Sequence, residues 1–126
     1  MKRILLVDDS AALRVALRDL LMQTFPDVFV GEAGAAEAAL GAIDREPWDL
    51  VMLDLSLPDR PGVDTLREIR RRAPALPVVV MSLHPEVEYR PAMRASGATD
   101  YVSKGSPAPA IAAVVRAALG LGQQDG

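Results

Sequence analysis

Leu50-Val51-Met52-Leu53 is an unbroken apolar run that ends in a single carboxylate, Asp54, and is closed a turn later by Pro58. Continuous rather than alternating apolar residues suit a strand covered by helices on both faces, as in the centre of a parallel sheet. No charge is tolerated in the middle of such a strand. Asp54 therefore belongs where the strand runs out, and in open parallel sheets ligands collect at the carboxyl ends of the strands. A plainer reading makes Asp54 the start of a turn before Pro58, a position that Asp favours.

The same alternation continues along the chain. Ile4-Leu5-Leu6-Val7 is a second apolar run and ends in Asp8 and Asp9. Ser10 can cap a helix whose Leu13, Ala16, Leu17, Leu20 and Leu21 recur at the three-and-four spacing of one buried face. Val28 to Glu32 reads as a short second strand. Gly34 opens an alanine-rich helix through about Ile43, with Ala36, Ala39, Leu40 and Ile43 on one side, and Trp48 is expected to pack against the sheet edge. After the Asp54 strand, a loop from Pro58 to Gly62 leads into a helix over Val63 to Arg72. Pro74 stops it, because the residue before a proline avoids helical geometry.

Pro77 to Met81 is the most β-prone stretch and ends at Ser82. A helix is expected between Pro85 and Ser96, short or distorted and starting near Pro91, since an interior proline removes a donor and clashes with the preceding turn. Thr99 to Val102 is a brief fifth strand followed by Lys104. Ser106 and Pro107 read as cap and first residue of a last helix that buries Ile111, Val114, Val115 and Ala118. Pro109 falls in the first turn, whose N–H groups lack helical partners in any case. Residues 1–120 thus form one domain, and 121–126 a polar tail or the start of a linker.

Five strands alternating with five helices give an α/β domain with a parallel sheet and helices on both faces. A chain of 126 residues, 50% of them hydrophobic, holds one real core and not two. The formal net charge of -3 leaves no electrostatic footprint for nucleic acid or an anionic membrane. The absence of cysteine excludes disulfides and thiolate metal sites. The apolar run after Lys2 and Arg3 stops at Asp8, well short of a signal-peptide core, and no other run approaches membrane-spanning length. The expected location is the cytoplasm.

The chemistry waits at the strand ends: Asp8 and Asp9 after the first, Asp54 after the third, Ser82 after the fourth, Lys104 after the fifth. In a parallel sheet all of them project at one edge. Three close carboxylates repel one another, and a hard divalent cation relieves this; Mg²⁺ is usually held by one or two carboxylates with waters and a phosphate. A hydroxyl and an ammonium complete what phosphoryl transfer needs. Asp54 can attack as a carboxylate nucleophile while the metal and Lys104 neutralise the phosphoryl oxygens and Ser82 donates a hydrogen bond. Each residue also has a plainer role. Asp8 and Asp9 can cap the first helix, Ser82 can satisfy a loop backbone group, and Lys104 can sit in solvent, although lysine is scarce here, Lys2 being the only other. The Arg67, Arg70, Arg71 and Arg72 cluster is expected to be a solvated helix face. His84, the only histidine, falls in the loop after Ser82.

Four segments carry a family resemblance: Ile4-Leu-Leu-Val-Asp-Asp-Ser10, Asp54-Leu-Ser-Leu-Pro58 with Gly62, Val79-Val-Met-Ser82 and Tyr101-Val-Ser-Lys104. Over residues 3 to 119 the chain resembles the receiver domain of two-component response regulators. The resemblance implies a doubly wound, flavodoxin-like (βα)5 domain with strand order 2-1-3-4-5. It implies that Asp54 accepts a phosphoryl group from a histidine kinase, that Asp9 binds Mg²⁺ directly with Asp8 supporting through water, and that the Ser56 carbonyl is a further ligand. Ser82 and Lys104 then bind the phosphoryl oxygens, and Tyr101 is the aromatic switch that turns inward as Ser82 is drawn toward the phosphate. Turnover is confined to self-phosphorylation and slow self-dephosphorylation.

Ser82-Leu-His84, the acidic tyrosine-containing segment after it, and Tyr101-Val-Ser-Lys-Gly-Ser106 resemble receivers of helix-turn-helix transcriptional regulators. In such proteins DNA is reached only through an output domain, which these residues do not contain. The implied partners are a histidine kinase and a second copy. The copy would dock through the face of the fourth helix, fifth strand and fifth helix, or that of the first and fifth helices, with no membrane involved. Gly105 departs from the proline that many receivers carry after the lysine. An alternative is a phosphorylation-independent interaction module of the same fold, which a lost acidic or lysine position would favour; none is lost. A haloacid-dehalogenase-type phosphatase would need a second Asp where Ser56 stands.

Overall fold

The computed structural model describes residues 1–83 and 86–121, residues 86–89 by backbone alone. The elements alternate: β1 (Lys2–Val7), α1 (Ala11–Thr24), β2 (Val28–Ala33), α2 (Ala36–Arg45), β3 (Leu50–Asp54), α3 (Gly62–Arg72), β4 (Val78–Ser82), α4 (Glu86–Ala95), β5 (Asp100–Ser103) and α5 (Ala108–Ala118). All strand pairs are parallel and the order is β2-β1-β3-β4-β5, as expected.

Strand alternation divides the apolar side chains between two cores. Leu5, Val7, Val51, Leu53, Val78, Val80 and Tyr101 pack with α2, α3 and α4 through Leu40, Leu66, Ile69 and Met93. Ile4, Leu6, Leu50, Met52, Val79, Met81 and Val102 pack with α1 and α5 through Leu17, Leu21, Ile111 and Val115. Both faces are dry, which is why β1, β3 and β4 read as continuous apolar runs. Each large side chain so buried contributes about 1.5–3 kcal/mol.

Local chemistry explains most element ends. The Ser10 hydroxyl caps α1 by accepting from the Leu13 amide at 3.2 Å. On α1 the buried positions are Leu17 and Leu21, whereas Ala16 is turned to solvent rather than into the core. Trp48 does pack at the sheet edge. Its ring lies over Gly31 of β2, where a Cβ would stand 2.5 Å from the ring, and its indole N–H donates to the Ala42 carbonyl at 3.0 Å. The Arg3 guanidinium lies over both Phe29 and Trp48, 4.5 and 4.7 Å from the ring centres.

Other expectations are corrected. Helix α4 starts at Glu86, not near Pro91, and runs through that proline. Tertiary contacts on either side hold the turn that its missing N–H weakens. Met93 is buried, and Arg90 donates to the Asp100 carboxylate at 2.6 Å and to the Tyr101 carbonyl at 3.2 Å. Helix α2 begins at Ala36 rather than Gly34. Pro107, not Ser106, holds the cap position of α5, while the Ser106 amide donates to Ser103 in the turn leaving β5. His84 and residues 122–126 of the expected tail lie outside the described residues. No helix is long and apolar enough to cross a membrane, among the described residues.

In the α3 arginine cluster Arg67, Arg71 and Arg72 are exposed, as expected of a solvated face, and Arg70 is the exception. Arg71 and Arg72 both pair with Glu68, holding its carboxyl down at about 2, and Arg72 also reaches Asp44 of α2 at 2.7 Å. Arg70 turns inward over a nest of carbonyls, donating to Gly97 at 3.1 and 2.6 Å, to Pro74 at 2.9 Å and to Leu76 at 2.7 Å. It thereby ties the end of α3 to the turn between α4 and β5. Replacing Arg70 with Ala is expected to cost about 1–3 kcal/mol in urea unfolding, because several carbonyls lose their donor. Arg70→Lys should recover little, since one ammonium cannot serve carbonyls on both sides as the guanidinium fork does. Unchanged midpoints in both variants would place this side chain in solvent.

Candidate functional site

The acidic edge is built by strands that carry their ladder one residue past the apolar run. At the end of β1 the Asp8 amide still donates to Ala33, at 3.1 Å. The Asp8 carboxylate, 1% exposed, then turns back so that Oδ1 accepts from the Ser10 amide at 2.8 Å. Asp9, next along, is exposed. Asp54 is the last residue of β3, paired with Met81, and is likewise 1% exposed. Its Oδ1 accepts from the Ser56 amide at 3.0 Å. Ser82 follows Met81 at the end of β4 and is also buried.

Lys104 enters from the end of β5. Its amide donates to the Ser82 carbonyl at 2.7 Å, which fixes the backbone from which the side chain reaches across the sheet. The ammonium lies 2.8 Å from Asp8 Oδ2 and 3.1 Å from Asp54 Oδ2, with the side chain 15% exposed. Burial works against the charge on Lys104, but the two carboxylates outweigh it and leave its pKa above the ordinary lysine value.

The charges do not balance. Carboxylate oxygens of Asp8, Asp9 and Asp54 lie within 4.8 Å of one another. Three negative charges against one ammonium leave a local net charge of -2. The inner oxygens, Asp8 Oδ2 and Asp54 Oδ2, have the Lys104 ammonium beside them but accept no hydrogen bond of ordinary geometry among the described residues. An all-oxygen donor set of this charge suits a hard divalent cation, which would bring the sum to zero. The strand ends thus bring Asp8, Asp9, Asp54 and Lys104 together, with Ser82 on the neighbouring strand and Ser56 in the turn after Asp54. Tyr101 is turned fully inward, among the core residues on the α2, α3 and α4 side of the sheet.

Two supports of the site carry no motif in the sequence. Arg14, one turn into α1, donates to the Asp8 carbonyl and pairs with Glu32 of β2 at 3.0 Å. Asp59, in the loop after Asp54, accepts from the Ala36 and Glu37 amides of α2 at 2.9 and 3.1 Å, and these hold its carboxyl below the ordinary range. The one sequence signal for Asp59 is negative: α2 has an alanine, Ala35, where a capping side chain would stand. At the far end of the same loop a Cβ on Gly62 would meet the Leu55 carbonyl oxygen at 2.6 Å, so only glycine lets α3 start that close.

Comparison with known proteins shows the family and the fold. A family profile described as the response regulator receiver domain matches residues 4–116. The transcriptional activator protein ExaE of Pseudomonas putida is 36% identical over 118 residues, covering 93% of this chain and 55% of that protein. The KDP operon transcriptional regulatory protein KdpE of Escherichia coli is 37% identical over 119 residues, covering 94% of this chain and 52% of its own length. The chain therefore spans about half the length of these curated relatives. A two-component response regulator from Clostridium difficile superposes with a TM-score of 0.86 at 25% identity, covering 98% of this chain and 100% of that one.

The charge imbalance makes a stability prediction in the absence of divalent cations. Asp54→Asn changes the local sum from -2 to -1 and is expected to raise the urea midpoint in EDTA. Lys104→Met leaves buried carboxylates without their cation and is expected to cost about 3–5 kcal/mol. Equal midpoints for all three proteins would mean that the cluster carries no repulsion.

Proposed function

The chain belongs to the response regulator receiver family, and we propose that it is a two-component switch that accepts a phosphoryl group on Asp54 from a histidine kinase. Mg²⁺ would be held by Asp9 and Asp54, by Asp8 through water, and by the Ser56 carbonyl. The observation that carries this reading is the Lys104 ammonium, 3.1 Å from the buried Asp54 Oδ2 in a cluster whose three carboxylates leave two negative charges unbalanced.

In the transfer, the P–N bond of a phosphohistidine breaks as a P–O bond forms to an Asp54 oxygen, giving an acyl phosphate. The bound cation supplies charge neutralisation at the phosphoryl oxygens. Lys104 moves its ion pair from the carboxylate to the phosphate, and the buried Ser82 donates a hydrogen bond to another oxygen. The side chains of the Asp54 strand exclude water on both faces of the sheet, which strengthens these contacts. No pool substrate is turned over; the reactions are self-phosphorylation and slow self-hydrolysis.

The Lys104 amide is bonded to the Ser82 carbonyl, so a pull on either residue is felt at the end of β5. Tyr101 lies on that strand, and the α4-β5-α5 surface is the proposed readout, with the α1-α5 surface as the other place for a second copy to dock. By their names ExaE and KdpE are transcriptional regulators. We accordingly place this chain in the cytoplasm as the regulatory part of such a protein, acting on DNA through an output domain.

Intact mass after incubation with acetyl phosphate and Mg²⁺ tests the reading. One added phosphoryl group is expected, absent in Asp54→Asn and in EDTA, with earlier elution of the phosphorylated sample in size-exclusion chromatography. A phosphoryl group that persists in Asp54→Asn contradicts the assignment. No gain from either acetyl phosphate or a phosphorylated histidine kinase would favour a phosphorylation-independent interaction module.

A further inference from the structure

Helix α2 opens without a cap of its own. Ala35 has the extended backbone of a cap residue, with φ of -153° and ψ of 160°, but no side-chain acceptor for the amides that follow. Both oxygens of Asp59 fill the gap, Oδ1 taking the Ala36 amide and Oδ2 the Glu37 amide. Beside them Arg60 pairs with Glu37. A distant residue pair thus does what one local serine would do for the helix, which points to a purpose beyond capping.

That purpose lies in the loop. Between Asp54 and α3 the chain is anchored by the Leu55 amide on the Met81 carbonyl at 3.2 Å, the Ser56 amide on Asp54, Leu57 buried in the core, and the Asp59 and Arg60 contacts to α2. Ser56 sits between the first and the last of these. Helix α2 is a firm support, since Ala36, Ala39 and Leu40 are fully buried against the sheet. The helix dipole also makes its N-terminus a favourable place for a carboxylate, so the tie holds although the nearby edge is already acidic.

We propose that Asp59 is a positioning residue for the acidic site: by gripping the first two amides of α2, it fixes the β3–α3 loop so that the Ser56 backbone faces the cation. This rests on the reading that Asp8, Asp9 and Asp54 hold a divalent cation. Linkage then runs both ways, and cation binding must in turn strengthen the grip on Ala36 and Glu37.

The test separates loop positioning from helix capping. Mg²⁺ affinity is measured by calorimetry and stability by thermal unfolding for wild type, Asp59→Ala, and Asp59→Ala combined with Ala35→Ser, which returns a local cap to α2. Asp59→Ala is expected to weaken Mg²⁺ binding by about tenfold, at the low end for supporting residues of metal sites. The double variant should regain the melting temperature but not the affinity. In wild type, Mg²⁺ should slow hydrogen exchange of the Ala36 and Glu37 amides. Where Asp59→Ala lowers the folded fraction, Asp59→Asn takes its place, keeping one acceptor for one amide and giving a smaller loss in the same direction. Unchanged affinity in the single variants, affinity restored together with stability by Ala35→Ser, or exchange indifferent to Mg²⁺ would overturn the proposal. A wild type that binds no Mg²⁺ would instead overturn the cation reading on which it stands.

Discussion

The Lys104 ammonium, held between two buried carboxylates from neighbouring strands, is the interaction on which the rest of this structure depends. It requires β1 and β3 to be adjacent and parallel, so that Asp8 and Asp54 emerge side by side. It requires β5 to lie beyond β4, so that a long unbranched side chain comes in past Ser82. A slip of one residue in any of these registers would turn the functional side chain to the other face of the sheet. The two apolar cores secure the register and bury Asp8 and Asp54, and in that lower dielectric each contact among the buried charges is worth more than in water.

Such a site is held against its own electrostatics. Three carboxylates and one ammonium leave a surplus of negative charge that the fold tolerates because apolar burial elsewhere is large. The surplus makes the edge receptive: on the proposed reading, a divalent cation and then a phosphoryl group would meet charges already in place. Local strain of this kind is expected where function, not stability, sets the residues.

The strands and the strand-end residues were legible in the sequence because both follow from short-range rules. A continuous apolar run suits a doubly covered strand, and a charge at its end belongs at the rim; Asp8 and Asp54 follow from that rule, and Ser82 and Lys104 from their places after the fourth and fifth strands. What was not legible depends on tertiary partners. Pro91 argues locally against a helix, but Met93 and Arg90 hold α4 together around it. Arg70 looks like its arginine neighbours until the carbonyls of the α4–β5 turn are folded against it. Asp59 caps a helix more than twenty positions away in the chain, so no spacing motif marks it. The inward position of Tyr101 is set by the core around it and not by its neighbours in sequence.

The central claim is that the acidic edge is a divalent-cation site whose charge surplus is relieved on binding. The most direct measurement is the thermal midpoint of the unphosphorylated protein as MgCl₂ is raised, against NaCl at matched ionic strength. A midpoint that climbs with the logarithm of Mg²⁺ concentration, well beyond the screening effect of NaCl, is the expected result. Superimposable curves for the two salts would contradict it.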